Sequence, residues 1–164
     1  MANGDYAVPF KNFRFRITIS PNDKPSLFVS KISGLKRTTE VITHREGNDV
    51  STPRHAPGRT SFQPITLERG VTLDPEFEKW ADQVFNHNAD DGISLENYKR
   101  NLTIELLNMQ GIPIRKYNVY KAWVSEYTAQ ADLDANANAI LVESIVVQNE
   151  GWIREDIGDA KNEQ

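Results

Sequence analysis

Apolar and polar residues alternate along Phe13-Arg14-Phe15-Arg16-Ile17-Thr18-Ile19, which predicts a strand burying Phe13, Phe15, Ile17 and Ile19 on one face. Pro21-Asn22-Asp23-Lys24-Pro25 supplies turn chemistry, and Leu27 to Ile32 is the returning strand of a hairpin. Gly34 marks a bulge or sharp bend, after which the β-branched run from Thr38 to Thr43 is extended again. From Glu46 to Thr60 the periodicity disappears. Gly47, Asn48, Asp49, Pro53, Pro57 and Gly58 interrupt any regular element, so the segment reads as a long loop, functional or disordered. Its charges are Arg54, His55 and Arg59 against Glu46 and Asp49. Strand character returns from Ile65 to Leu67 and stops at Arg69-Gly70.

One helix is predicted, from Asp74 to the region of Asn86–Asn88. Asp74 can cap it, Pro75 suits its first position, and Glu76 and Glu78 favour the positive end of its dipole. Phe77, Trp80, Ala81, Val84 and Phe85 fall on a single stripe, which makes Phe77, Trp80 and Val84 packing residues. Strands follow over Leu102–Leu106, over the long run Ile114–Tyr127, which carries Trp123 as a further packing residue, and over Ile140–Val147. The last is nearly all apolar and predicts cover on both faces. Within it Glu143 shares a face with Leu141 and Ile145, both read as core, so a paired, partly buried carboxylate is expected, with Arg69 one candidate partner. Asn108–Gly111 is a turn, Ala129–Ala139 a loop of small and Asp/Asn residues, and the segment from Trp152 to Gln164 a polar, frayed tail. The sum is mainly β: about six strands in a β-sandwich or partly open barrel, flanked by one α-helix.

Composition narrows the function more by exclusion than by signal. The 164 residues fit one domain, 1–164, with 38% apolar and 26% charged residues, in the globular range. The net charge of −4 gives no electrostatic footprint for gripping nucleic acid, although an acidic wall can still contain or guide it. The absence of cysteine removes disulfides, thiolate nucleophiles and Cys-based zinc sites. Met1 to Tyr6 has no signal-peptide character and no apolar run approaches the ~20 residues of a membrane span, so synthesis and assembly in the cytoplasm without membrane anchoring are expected. His44, His55 and His87 lack ligand spacing, and Asp132-Leu133-Asp134 lacks the glycine and distal glutamate of a calcium loop. Asp74, Glu76 and Glu78 are explained by helix capping, and no G-x-S-x-G elbow occurs. No catalytic residue, metal or cofactor is expected; the chain reads as a protein that is not an enzyme.

An ordered set of segments carries a resemblance. Phe28-Val29-Ser30-Lys31-Ile32-Ser33-Gly34-Leu35 is similar to "F-x-x-V-S-G-L", and Ile42-Thr43-His44-Arg45-Glu46-Gly47 to "I-x-Y-R-E-G". Ala56-Pro57-Gly58 with Ile65-Thr66-Leu67-Glu68-Arg69-Gly70-Val71 is similar to "L-P-G … I-T-L-K-R-G-V". Phe77 with Trp80 resembles "F-x-x-W", Tyr117 to Trp123 the strand ending "N-A-W", and Leu133-Asp134-Ala135 through Glu143 and Glu150-Gly151 the closing "L-D-A … E … H-E-G". Together, from Phe28 to Gly151, these resemble the tail tube proteins of contractile phages, shared with extracellular contractile injection systems and more distantly with type VI secretion tubes. His44 stands in place of an aromatic residue and Ala56 in place of a larger apolar one, while Gln148-Asn149 occupies a place where the family often carries a basic residue or histidine.

The resemblance implies a structural subunit that forms hexameric rings, each subunit lending four strands to a shared β-barrel, with rings stacked into a hollow tube. Twenty-four strands at ~4.8 Å and a tilt of ~40° imply a barrel about 48 Å across between backbones. Implied partners are further copies of the chain, a sheath protein, baseplate and tail-terminator proteins, and a cargo of DNA or protein in the lumen of a virion tail or injection particle. The loop residues Arg45, Glu46, Gly47, Asn48, Asp49, Arg54, Pro57, Gly58 and Arg59 are the expected ring and stacking contacts. With −4 per subunit, −24 per hexamer, a neutral to acidic lumen is expected. A tube initiator or baseplate adaptor of the same fold, and a small carbohydrate-binding β-sandwich, are the competing readings.

Overall fold

The fold is described from a computed structural model over residues 14–20, 25–45, 47, 52–84, 98–130 and 141–157. In chain order it has β1 (Arg14–Ile19), β2 (Pro25–Val29), β3 (Lys31–Ile32), β4 (Arg37–His44), β5 (Arg54–Phe62), β6 (Ile65–Gly70), α1 (Glu76–Asp82), β7 (Arg100–Leu107), β8 (Pro113–Thr128), β9 (Val142–Gln148) and β10 (Trp152–Glu155). The architecture is mainly β with one described helix. The strands number ten among the described residues rather than about six: the stretch Leu27–Ile32 is split at Ser30, and two segments read as irregular, Arg54–Phe62 and Trp152–Glu155, are strands.

Seven strands form one antiparallel ladder in the order β2-β1-β7-β8-β9-β6-β3, with β10 joining β8. The ladder does not close on itself. Its end strands β2 and β3 are successive pieces of one stretch, separated by Ser30, whose N–H and hydroxyl both donate to the Glu68 carbonyl at 2.9 Å. One layer of the sandwich is thus β2, β1, β7, the first part of β8 and β10; the other is the last part of β8 with β9, β6 and β3. The buried faces enclose Ile17, Leu27, Leu67, Leu102, Val119 and Ile145, and α1 adds Phe77 and Trp80. Burying such side chains stabilises the fold by about 1.5–3 kcal/mol each.

The sixteen-residue β8 serves both layers because it bends. Lys121 has φ 49°, in the left-handed region, and its N–H donates to Asn101 Oδ1 at 3.1 Å. Opposite it, Gly151 has φ 143°, a backbone conformation that favours glycine, and its Cα faces the Phe62 ring. Tyr120 exchanges backbone hydrogen bonds with Gly151 and Glu150 across the bend. The Glu150 carboxylate then binds both Lys99 and Lys121 on the surface. Corners of this kind are how strands change sheets.

Four expectations change. Arg54–Phe62, inside and beyond the supposed loop, is strand β5; Pro57 and Gly58 are tolerated because β5 has only one strand neighbour among the described residues. Trp152–Glu155 is strand β10 rather than a frayed tail, paired with Val119 to Lys116 of β8 and anchored by Trp152 edge-on between Phe62 and Tyr117. Leu141 is exposed, just before β9 begins, and does not join the core face of Glu143 and Ile145. Gly34 sits in the link Ser33–Lys36 and not in a bulge. The helix ends at Asp82, with Pro75 at its N-cap position and Asp74 Oδ1 accepting the Glu76 N–H at 3.2 Å. Phe13, most of the Pro21–Pro25 turn, Phe85, His87 and the Asp132–Asp134 segment lie outside the described residues.

The corner clamp is sensitive to acid. The hydrogen bond from Lys99, then those from Lys121, hold the Glu150 carboxyl below its ordinary range. Its contribution is therefore present at neutral pH and lost as pH falls through that lowered value. Unfolding of the wild type and Glu150→Gln across pH 7 to 3 should show a gap at neutral pH that closes on acidification and shrinks with salt. A gap independent of pH would mean that the clamp acts through packing alone.

Candidate assembly interface

Strands β4 and β5 form a separate two-stranded sheet that leaves the sandwich as an arm. At its root Ser33 N–H donates to the Thr66 carbonyl and Gln63 N–H to the Lys36 carbonyl, so β3–β4 and β5–β6 are one long hairpin. The base of this hairpin lies in the sandwich. Beyond it, eight residues of β4 extend about 26 Å at ~3.3 Å each. Every residue of β4 is exposed, including Val41 at 63% and Ile42 at 42%; on β5 only Ala56, Gly58 and Phe62 are half-buried. What holds the arm internally is its ladder, a Thr39–Thr60 hydroxyl contact of 3.0 Å, and Ile42 lying across Gly58. A Cβ on Gly58 would come within 3.0 Å of Ile42 Cγ1.

The arm gathers part of the predicted contact set. Arg54, Pro57, Gly58 and Arg59 are on β5, Arg54 facing His44 and Pro57 facing Val41 in the register. Arg45 and Gly47 follow β4 and are exposed. Glu46, Asn48 and Asp49 lie outside the described residues. The packing set is elsewhere: Phe77 and Trp80 are buried in the core, whereas Val84, just past α1, and Trp123, set edge-on to Tyr98, are half-buried. Val41 and Ile42 were not singled out as contacts by sequence; the signal was present in two adjacent large apolar residues within a strand that has no apolar alternation.

Near the end of β6 away from the arm, one buried cation ties three elements together. Arg69, 4% exposed on β6, donates through Nε to Glu143 on β9, itself 6% exposed. Its other nitrogens donate to the Asp74 side chain at 3.3 Å and to the Asp74 carbonyl, and its guanidinium lies 4.1 Å over the Phe77 ring. Tyr127 donates to the second Glu143 oxygen at 3.4 Å. Burial, and next the neighbouring Glu143 charge, push the Tyr127 phenol up from its ordinary range, so it stays a donor at neutral pH. β6, β8, β9 and the start of α1 are thereby held in one relation.

The family of tail tube proteins described as "T4-like virus tail tube protein gp19" matches residues 11–153. The chain belongs to this tail tube family. Similar solved chains occur in a cryo-EM structure of the PVC extracellular contractile injection system sheath–tube complex in its extended state (23% identity, 93% of this chain and 95% of that one, TM-score 0.72). Others are in the anti-feeding prophage baseplate (23%, 93% and 97%, 0.69) and in the anti-feeding prophage tube-terminating cap (25%, 94% and 99%, 0.71). No curated protein sequence matches.

Among the described residues of this tail tube protein, no group of three or more His, Asp or Glu residues could hold a metal ion. His44 and His55 are on the exposed arm, His55 Nδ1 lying 3.4 Å from the Thr43 hydroxyl. No described helix is long and apolar enough to cross a membrane.

Breaking the buried pair from one side leaves an uncompensated charge, which costs about 3–5 kcal/mol. Glu143→Gln should therefore lose about 3 kcal/mol in urea unfolding of the dispersed subunit, the low end because Asp74 still accepts from Arg69. Loss of less than about 1 kcal/mol would show that the pair is not what joins β6 to β9.

Proposed function

We propose that this tail tube protein is the building block of the inner tube of a contractile tail or phage-tail-like injection particle, in which hexameric rings stack into a conduit for DNA or protein cargo. The observation that carries the reading is the arm. A two-stranded hairpin without a core is marginal in water, and this one displays Val41 and Ile42 along with open backbone edges. Such an element is stabilised by neighbouring copies. Head-to-tail contacts between identical copies close into rings or continue as filaments, the two geometries a tube needs. Family membership and the likeness to chains from sheath–tube, baseplate and cap assemblies support a sheath, a baseplate and a terminator as partners. The contact residues are those on and around the arm: Arg45 to Asp49, Arg54, Pro57, Gly58 and Arg59. Assembly takes place in the cytoplasm, and the tube works by rigidity, driven as a unit by the sheath.

Electron microscopy and sedimentation of the purified protein test this. Rings are expected, passing to tubes or stacks as concentration rises. Replacing residues 48–54 with a short Gly-Ser linker should leave the far-ultraviolet circular dichroism unchanged and abolish tubes. A wild-type protein that stays monomeric from micromolar to millimolar concentration would refute the tube reading, and normal tubes from the replaced variant would show the tip to be passive.

A further inference from the structure

The root of the arm rests on the corner where β9 turns into β10. Phe62, the last residue of β5, sets its ring edge-on to Trp152 at 6.1 Å, and Trp152 stands edge-on to Tyr117 at 5.9 Å. A chain of three rings thus runs from the arm through β10 to the first part of β8. The next residue, Gln63, offers its carbonyl to Asn149 Nδ2 at 3.2 Å, and Asn149 Oδ1 accepts the Gly151 N–H at 3.2 Å. One short turn therefore grips the arm root with a side chain and starts β10 with its backbone.

This corner carries two unrelieved costs. Lys121 is the one non-glycine residue with a positive φ among the described residues. The Trp152 indole Nε1 is buried with no hydrogen-bond partner among them. Strained backbone and unpaired buried donors collect where a structure is set to change. β10 has little else to hold it. It is four residues long, pairs with β8 alone among the described strands, and Glu155 binds Lys116 at 2.9 Å and Asn118 at 2.7 Å. Ile153 between them is exposed. We propose, building on the tube reading, that this corner couples the arm to β10: seating the arm against a neighbouring copy fixes Phe62, and through Trp152 fixes β10. In the dispersed subunit the arm has no core to hold its root, and Trp152 follows Phe62. The coupling needs no contact between β10 and the neighbour, because ordering one element lowers the cost of ordering the next. β10 and the outward face of β8 beside it then reach one arrangement only in rings, so a partner packing on that face tells assembled copies from free ones.

Amide exchange is followed in dispersed subunits and in rings, for the wild type and for Phe62→Leu, which keeps an apolar side chain at the root but removes the ring. In the wild type the amides of residues 152–155 should slow by about tenfold on assembly. In Phe62→Leu rings the arm amides should still slow and those of β10 should not. Coupling is reciprocal, and the absence of native cysteine allows the reverse test, which stands whether or not Phe62→Leu assembles. Lys116→Cys combined with Glu155→Cys places a thiol pair at partnered positions of β8 and β10, so oxidation ties the two strands together. The oxidised protein should form rings at a concentration lower by about threefold or more than the same protein reduced. Wild-type β10 amides that exchange alike in both states, or that slow equally in Phe62→Leu rings, would overturn the coupling. So would a ring threshold indifferent to the disulfide. Each of these results leaves the tube reading intact, whereas wild-type protein that forms no rings would overturn both.

Discussion

The constraint behind this structure is that a β-ribbon cannot supply its own core. β4 and β5 leave the sandwich at Lys36 and Gln63 and run outward with nearly every side chain in solvent. Their ladder satisfies one edge of each strand and buries almost nothing. Residues ordered without burial lose conformational entropy with little return, so the ribbon depends on a surface provided by another molecule. Among the described residues, a sandwich whose layer ends in open edges fits a subunit completed by copies of itself.

The body has its own polar anchor away from the ribbon. Arg69, near the end of β6 opposite the arm, binds Glu143 and Asp74 and stacks on Phe77. An ion pair this buried contributes little net stability compared with an apolar substitute, whereas removing one partner is costly. Here it adds to the backbone ladder that places Arg69 opposite Glu143, and it ties the start of α1 to β6 through Asp74. At the bend of Lys121 and Gly151, β8 turns from one layer to the other opposite a glycine whose positive φ a side chain would strain.

Much of this was legible in residue order. Alternation along Phe13–Ile19 and Leu102–Leu106 marks strands β1 and β7, the Phe77/Trp80 spacing marks the buried face of α1, and the pairing of Glu143 with Arg69 could be expected from a carboxylate on an apolar face. The arm was half legible. The β-branched run of β4 read as extended, but Pro57 and Gly58 hid β5, because such breakers disrupt a strand flanked on both sides and not one on an open ribbon. β10 was hidden for a related reason: Trp152 is its one large inward residue, and the Phe62 and Tyr117 rings that receive it are far away in sequence. Which edge meets which across copies is a property of topology and register, and neither appears in a local pattern.

Amide hydrogen exchange, compared between dispersed subunits and assembled rings, tests the central claim most directly. In the dispersed subunit the amides of β4 and β5 should exchange rapidly while those of β6 and β9 are protected. In rings the arm amides should slow by on the order of a hundredfold or more, with β6 and β9 little changed. Arm amides that are equally protected in both states would contradict the account, because the ribbon would then be stable without its neighbours.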